Sequence, residues 1–307
     1  MITEKVMPNK KFLVTGASGF IGSHLCERLV LLGGDVHCIS RTKRQNDLHN
    51  MTWWQSDLSG SADVLKIIKS IEPEIVYHLS SCVTGSRDTE VILPTFQSNL
   101  LSTLNLLIAL KIVGCQRIIL AGSMEEPHIH SAELSSISPY SVSKWASSTY
   151  GRMFNTLYGV PVVILHLFMV YGPGQTDLKK LIPYVIISLL KNQAPRLTSG
   201  NRQIDWIYID DVIDALIESS RAKDIIGQTI DVGSGSLATV REVVEKLIAL
   251  INSKIKPDFR ALEDRPFESV RIADTKSAFA ALGWKGKVQL IEGLRRTVAW
   301  YYDHLIK

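Results

Sequence analysis

The stretch Lys11-Phe12-Leu13-Val14-Thr15-Gly16-Ala17-Ser18-Gly19-Phe20-Ile21-Gly22 most narrowly limits what this chain can fold into. Lys11 to Thr15 is a short apolar run with Phe and Val, which predicts a buried strand. Residues 23–32 then repeat apolar side chains at helical spacing (Leu25, Leu29, Leu32), and Gly33-Gly34 ends the pattern. Strand, glycine turn and helix in this order are the context in which a dinucleotide fingerprint has physical meaning. Gly16 permits the tight turn, Gly19 lets backbone approach a pyrophosphate, and Gly22 lets helix pack closely on strand. The helix N-terminus offers unpaired N–H groups and partial positive charge to phosphate. A glycine turn without a ligand is the bland alternative.

The next strand, Val36 to Ser40, bears on the cofactor. A carboxylate at its end would accept from the ribose 2′-hydroxyl of NAD; the chain offers Arg41, Lys43 and Arg44 instead. A cationic cluster there suits the 2′-phosphate of NADP. NADP(H) is therefore the preferred expectation and NAD(H) the second, an ordinary solvated basic loop being the alternative. Further strands are predicted at 52–55, 75–79, 117–121 and 162–167, and helices at 61–71, 94–113 and 141–158. That alternation predicts an α/β fold of the Rossmann type, a doubly wound parallel sheet. After about residue 170 the pattern loosens into helices at 179–191, 211–222, 239–251, 276–282 and 289–302, separated by short extended pieces.

One spacing suggests chemistry. Tyr140 and Lys144 stand four residues apart, on one face of a predicted helix, and Ser123 lies seventeen residues before Tyr140. A neighbouring ammonium favours the ionised phenol, so the spacing predicts a phenol pKa lowered from its usual ~10 toward the operating pH. Ser123, expected just past a strand end, could hold the substrate oxygen that exchanges the proton. A Tyr and a Lys at this spacing also occur together by chance, so their company decides.

Composition excludes several classes. With 307 residues, 46% of them hydrophobic, the chain can bury one large core or two lobes. A net charge of +4 is too mild to argue for a nucleic-acid or membrane-surface partner, and neither is expected. Cys26, Cys38, Cys82 and Cys115 lack C-x-x-C spacing and are expected as small core residues in a reducing compartment. No metal site is expected; His128 and His130 are the nearest approach to one. No signal peptide is expected at Met1 to Lys11, and no membrane-spanning helix, the best apolar run (181–190) being short and containing Pro183. A cytoplasmic protein is the expectation.

Nearly end to end, the sequence resembles the extended short-chain dehydrogenase/reductases, in particular their nucleotide-sugar epimerase/dehydratase branch. Gly16 to Gly22 matches the G-x-x-G-x-x-G cofactor motif, Asp57-Leu58 the acidic pair near adenine, and His78-Leu79-Ser80-Ser81 the H-L-A-A segment. Asn99 opens a segment like N-x-x-G-T-x-N-L-L, residues 167–174 resemble the stretch R-x-F-N-V-Y-G-P-G, and residues 205–212 resemble R-D-F-I-Y-V-D-D-V. Leu282-Gly283-Trp284 and Trp300-Tyr301 match the C-terminal signature. The resemblance implies a cofactor domain at 1–170, a mainly substrate-binding lobe at 171–307, and segments near 205–235 returning to the first. It implies cofactor contacts from Gly16, Ser18, Gly19, Phe20, Ile21, Gly22, Arg41, Arg44, Asp57, Leu58, Leu79, Ser80, Ser81, Asn99, Tyr140, Lys144 and Leu167.

The same resemblance implies hydride transfer at a sugar carbon, with Ser123, Tyr140 and Lys144 as the catalytic trio and a nucleotide-diphosphate sugar as partner. Dehydratases carry T-D-E at the hydroxyl; here Ser123-Met124-Glu125-Glu126 keeps the base position in Glu125 but places a thioether, which cannot donate a proton, at the acid position. Glu125 could equally be a solvated loop carboxylate. The segment looks most like G-S-S-E-E of GDP-4-keto-6-deoxymannose reductases. With the Arg41 cluster, this favours an NADPH-dependent 4-ketoreductase of a nucleotide-linked 4-keto-6-deoxyhexose. A 4-epimerase with tightly held NAD, then a dehydratase, are the alternatives; a non-catalytic NADP sensor is the reading from another class. Thr84, Ser123, Met169, Arg202 and Arg265 are the substrate-side candidates, either arginine being otherwise plain surface charge. Met169 and His166 depart from the usual Asn and Arg, and Ile204 stands where relatives carry an Arg. Relatives also pair two long helices, which implies a homodimer through those at 94–113 and 141–158.

Overall fold

The computed structural model describes residues 7–44, 50–127, 138–264 and 270–305. Seven parallel strands form one sheet: β1 (Lys11–Thr15), β2 (Asp35–Ser40), β3 (Met51–Gln55), β4 (Ile75–His78), β5 (Arg117–Ser123), β6 (Val162–Leu167) and, from late in the chain, the strand Thr229–Val232. Between β6 and that last strand come β7 (Met169–Tyr171) and β8 (Gln203–Tyr208); the last strand of the sheet is therefore β9, and β10 (Leu237–Thr239) follows it. The order across the sheet is β3-β2-β1-β4-β5-β6-β9, so the direction of winding reverses between β1 and β4. Such a reversal opens a crevice beyond the C-terminal strand ends. β10, β8 and β7 make a separate three-stranded sheet, β8 antiparallel to β10 and parallel to β7.

The connecting helices are α1 (Phe20–Leu31), α2 (Ser61–Ile71), the short α3 (Ile92–Thr95), α4 (Ser102–Val113), α5 (Pro139–Tyr158), α6 (Leu181–Leu190), α7 (Ile209–Arg221), α8 (Val240–Ile251), α9 (Thr275–Leu282) and α10 (Leu290–Leu305). Strand alternation divides the core between the two sheet faces. Phe12 and Val14 of β1 join a large cluster with Leu25 and Leu29 of α1 and Val212 and Leu216 of α7. Leu13, between them, joins the opposite cluster with Ile68 of α2 and Leu106 and Leu110 of α4. Cys26 and Cys38 lie in the first cluster with sulfurs 3.4 Å apart. Cys115 borders the second cluster, but Cys82 sits in the loop after β4, outside either core.

The helix expected at 94–113 runs longer, as Thr89–Val113, and is apolar enough to meet the length and composition of a membrane span. That corrects the expectation that no such helix exists. Its inner face is committed to the protein: Leu106, Leu107 and Leu110 are buried, and α4 packs on α2 and α5. It is not a regular α-helix. A wider π turn spans Phe96–Leu101, a type of irregularity common at functional sites.

Helix α5 starts where local chemistry dictates. Ser138 and Ser141 form a reciprocal capping box and Pro139 occupies the first turn, its missing N–H costing no helical bond. This places Tyr140 in the first turn and Lys144 one turn on. β5 runs on to Ser123, whose pairing partner is Leu167 of β6. Ser123 is thus the last residue of the strand, not a loop residue beyond it.

One buried carboxylate ties the small sheet to the large one. Asp205 of β8 is fully buried and accepts from the amides of Ser234, Gly235 and Ala273 and from the Ser234 hydroxyl, at 2.7–3.0 Å. These bonds hold the β9–β10 turn and the chain entering α9. Replacing Asp205 with Ala leaves those buried donors without an acceptor. The variant should lose about 3 kcal/mol or more of unfolding free energy, measured by urea denaturation; a loss below about 1 kcal/mol would contradict this role.

Candidate active site

The crevice floor is built by close backbone approach. Gly16 has φ +69°, and a Cβ there would lie 2.7 Å from the Ser80 amide nitrogen. A Cβ on Gly22 would collide with the Gly16 carbonyl oxygen. Both glycines are therefore required by sterics. Buried His78 ties the two loops together: its Nδ1 bonds the Thr15 hydroxyl at 2.8 Å and its Nε2 the Thr103 hydroxyl at 3.0 Å, while Thr15 Oγ1 accepts the Ser80 amide at 3.2 Å. Burial pushes the His78 imidazole down to about 3, with Lys144 adding in the same direction, so the ring is neutral.

This cradle fits a dinucleotide. No side chain caps the N-terminus of α1 and no acid lies in its first turn, so its amides remain for phosphate. Ser18 is exposed at the turn, whereas the side chains of Phe20 and Ile21 pack in or against the core, leaving only their backbone for a ligand. At the far end of β2, Arg41 and Arg44 are exposed, Arg44 lying over the Trp53 ring at 5.7 Å. Asp57 is exposed too, and its carboxyl is held below its usual range, first by hydrogen bonds from Ser59 and secondarily by Arg41. Leu58 and Leu167 are buried, while Leu79, Ser80 and Ser81 line the loop after β4.

Asn99, almost wholly buried, joins this cradle to α5. Its Oδ1 accepts from the Cys82 amide at 2.6 Å and the Ser81 hydroxyl at 3.0 Å; its Nδ2 donates to the Ser143 hydroxyl at 2.8 Å and the Cys82 carbonyl at 3.3 Å. Its main-chain oxygen accepts from Ser147 of α5 at 2.9 Å. Asn99, expected at the cofactor, thus also holds the loop after β4 and the helix α5 together.

Ser123, Tyr140 and Lys144 come together at the strand ends. The Ser123 side chain is the polar neighbour of the Tyr140 phenol, and Ser123 Oγ accepts the Glu125 amide at 3.1 Å. The expected lowering of the Tyr140 pKa is absent. Burial raises it well above the usual phenol value, and the Glu125 and Glu126 carboxylates add to that against the lowering by Ser123. Burial also lowers the pKa of Lys144, whose opposing influence is Glu126. In this state the phenol is neutral and the ammonium answers to a carboxylate. The spacing argument counted the Tyr–Lys pair alone and left out desolvation and two nearby acids.

A charged network beneath the trio was not anticipated. Glu126, 4% exposed, accepts the Ser123 amide on Oε1 at 2.8 Å and meets His166 Nε2 with Oε2 at 3.2 Å. On the other side of the imidazole, Nδ1 lies 3.4 Å from Asp231 and 3.1 Å from Arg271, which itself pairs with Asp231 at 2.8 Å. Burial opposes every charge here, but the pairing wins: His166 is raised, chiefly through Asp231 and then Glu126, while Glu126 and Asp231 are lowered, chiefly through His166. The doubled Glu125-Glu126 and the His166 departure were the sequence signals for this network; Asp231 and Arg271 had none.

The substrate-side candidates are spread along the crevice and the small sheet. Thr84 accepts the Ser86 amide in the loop after β4; Met169 opens β7, opposite Trp206 of β8. Arg202 lies just before β8, its carbonyl taken by the Val240 amide. Met124 is buried in the core, its carbonyl accepting from Arg271 at 3.3 Å. Arg265, and likewise His128 and His130, lie outside the described residues.

A family model for the NAD dependent epimerase/dehydratase family matches residues 12–233. The chain belongs to this family. Among curated relatives, it is 26% identical over 310 residues to the UDP-glucose 4-epimerase of Mycolicibacterium smegmatis, spanning 94% of this chain and 97% of that protein. It is 26% identical over 336 residues to the dTDP-glucose 4,6-dehydratase of Neisseria meningitidis, spanning 96% and 94% respectively. The Bordetella bronchiseptica enzyme WbmF, solved in complex with NADH, superposes with a TM-score of 0.86 at 25% identity over 97% of this chain and 94% of that one. The parallel sheet and Rossmann-type α/β architecture of the family are thus those of this chain, and a nicotinamide dinucleotide fits the cradle. The expected special likeness to GDP-4-keto-6-deoxymannose reductases is not what these relatives show; they act on UDP- and dTDP-linked glucose by name.

The network makes stability depend on pH in a defined sense. His166 has a raised folded pKa, so its contribution is full below the ordinary 6.5 and is lost as pH rises through the folded value. Glu126 and Asp231 have lowered pKa values, so theirs is full above the ordinary 4.5 and 3.8 and is lost as pH falls through the folded values. Thermal melts across pH should show His166→Gln losing less stability than wild type on the alkaline side. Parallel melting curves for the two proteins would contradict the assignment.

Proposed function

We propose that this family member is a nucleotide-sugar 4-epimerase that keeps a nicotinamide dinucleotide through its cycle. The observation that carries the reading is the gathering of Ser123, at the end of β5, with the Tyr140 phenol from the first turn of the helix that also carries Lys144, together with Met124 buried where a dehydratase needs a proton donor. A nicotinamide dinucleotide held in this cradle would supply reversible hydride chemistry at the sugar C4. Tyr140 exchanges the proton of the C4 oxygen, Ser123 holds that oxygen by hydrogen bonding, and Lys144 supplies positive charge beside the phenol. Glu125, half-buried near the phenol, has no acid partner at position 124 with which to drive loss of water. Met169, Thr84 and Arg202 are proposed to shape the sugar and diphosphate sites. The names of the relatives support epimerase chemistry over net reduction.

A second reading rests on one specific feature. The exposed Arg41 and Arg44 and the absence of an acid at the end of β2 favour NADP(H), and with it the 4-ketoreductase. The test is to incubate the protein with UDP-glucose, and separately with nucleotide 4-keto-6-deoxyhexoses plus NADPH. An epimerase interconverts two sugar nucleotides with no net change in cofactor absorbance; stoichiometric NADPH oxidation would replace that reading with the ketoreductase. In either case Tyr140→Phe should cut kcat by at least about 100-fold, the usual scale for a lost general acid/base. Near-normal turnover would remove the trio from catalysis.

We also propose a homodimer in the cytoplasm. The helix Thr89–Val113 exposes Phe96, Ile108 and Ile112, and α5 exposes Trp145, Tyr150 and Leu157, two apolar faces that a second copy would cover. The double substitution Ile112→Asp with Leu157→Asp should yield a monomer by sedimentation; a wild-type chain that sediments as a monomer contradicts the proposal.

A further inference from the structure

The carboxylate of Glu126 lies under the catalytic trio, not in it. It is 4% exposed, and burying an ionised carboxylate costs several kcal/mol unless the charge is paired and hydrogen-bonded. Here each oxygen has a task. Oε1 accepts the main-chain amide of Ser123, and Oε2 faces His166. On α5, Lys144 is its cationic neighbour and Ser148 a polar one. One side chain therefore touches β5, α5 and β6, the three elements that carry Ser123, Tyr140 with Lys144, and His166. The close fit leaves no slack: a Cβ on Gly122 would lie 2.8 Å from Glu126 Oε1 and 2.7 Å from the His166 ring.

The imidazole is fixed in turn from outside. Asp231 of β9 and Arg271, in the segment leading to α9, both face His166 Nδ1. Arg271 also donates to the Met124 carbonyl and lies over the Phe168 ring at 5.4 Å. The residue next to Ser123 is thus held from the same guanidinium that braces the histidine. Around this group the charges are Glu126 and Asp231 against His166, Lys144 and Arg271, with Glu125 and Tyr140 at the crevice side.

We propose that Glu126, gripping the Ser123 amide with one oxygen and His166 with the other, is the positioning residue that sets the Ser123–Tyr140–Lys144 trio, with Asp231 and Arg271 locking His166 from the far side. Glu126 does not reach the reacting atoms. It acts by fixing the strand end from which the Ser123 hydroxyl projects and by placing one negative charge behind the Lys144 ammonium. Its charge also opposes ionisation of Tyr140 and favours that of Lys144. His166, as imidazolium, offsets that charge. The inference rests on the reading of the trio as the proton-transfer centre.

The full-length protein with NAD+ added, wild type and the variants Glu126→Gln, Glu126→Asp, His166→Gln and the double Glu126→Gln/His166→Gln, would be compared. The first readout needs no turnover. In Glu126→Gln the His166 imidazole, followed by NMR, should titrate at lower pH than in wild type, and the Ser123 amide should exchange with solvent faster. The second readout is epimerisation of UDP-glucose. Glu126→Gln should lower kcat by up to about 100-fold with little change in KM, as expected when reacting groups are misplaced by a fraction of an ångström. Its pH profile should move to lower pH, since both Tyr140 and Lys144 lose a neighbouring negative charge. The double variant should be no worse than Glu126→Gln alone, because the two residues act as one unit; Glu126→Asp should recover part of the loss.

An unchanged His166 titration with unchanged Ser123 exchange in Glu126→Gln would overturn the proposal, as would additive losses in the double variant. If Glu126→Gln does not fold, His166→Gln carries the same exchange and kcat readouts, because it removes the other half of the grip. Failure of the trio reading is separate: it shows as full turnover in Tyr140→Phe.

Discussion

The architecture of the site depends on the amide side chain of Asn99. A primary amide has two donors and two acceptor positions, and inside a protein each left unmet would cost on the order of 1–3 kcal/mol. Asn99 meets them with the backbone of Cys82 and the hydroxyls of Ser81 and Ser143. The loop that follows β4 is thereby tied to the helix that carries Tyr140 and Lys144. The π turn that carries Asn99 also directs its carbonyl to Ser147, a second tie to α5 one turn further along. Because a polar network of this kind is favourable only when complete, it admits one relative placement of crevice and catalytic helix.

Given that placement, electrostatics decides the state of the trio. A Tyr and a Lys on adjacent turns would, in isolation, make an activated phenol. Desolvation and two carboxylates reverse this, so the resting phenol is neutral, with Ser123 as its polar neighbour. The buried ion network below adds a cost that a purely apolar core would avoid, because taking charges from water is unfavourable unless geometry and hydrogen bonding repay it. Its retention directly behind the catalytic hydroxyl is consistent with a role in geometry more than in stability. It also spans the molecule: β5, β6, β9 and the segment before α9 all contribute to it.

Much of the main sheet was legible in the residues. Strand 162–167 matches β6 residue for residue, and the other strands of the main sheet before it agree to within one or two positions, because short Val- and Ile-rich runs between glycine turns have few other uses. The late helices begin within one or two positions of expectation, since capping residues such as Thr239 and Asp274 mark starts, although α10 runs three residues beyond its expected end. The three-stranded sheet was not legible: β7 and β10 are three residues each, too short for any periodicity to register, and their partner β8 is remote from both. The π turn had no signal for a similar reason, being set by the contacts of Asn99 and not by local propensity. Of the candidate site, Ser123, Tyr140, Lys144 and the three glycines of the turn are readable from local spacing, whereas the bracing bonds of Asn99 to Ser81, Cys82 and Ser143 are not, because they join residues 17 to 44 positions apart.

By itself the sequence determined the glycine turn, the doubly wound order and the chemical identity of the trio, because these follow from local sterics, hydrophobic alternation and side-chain chemistry. Tertiary structure alone decided what those side chains do at rest. The direction of the Tyr140 and Lys144 shifts arises from burial and from Glu125 and Glu126, and the pairing of Glu126 with His166 and the closure of that pair by Asp231 and Arg271 join residues 40 to 105 positions apart. Electrostatic energy depends on distance and desolvation in the folded molecule, and neither quantity is written along the chain.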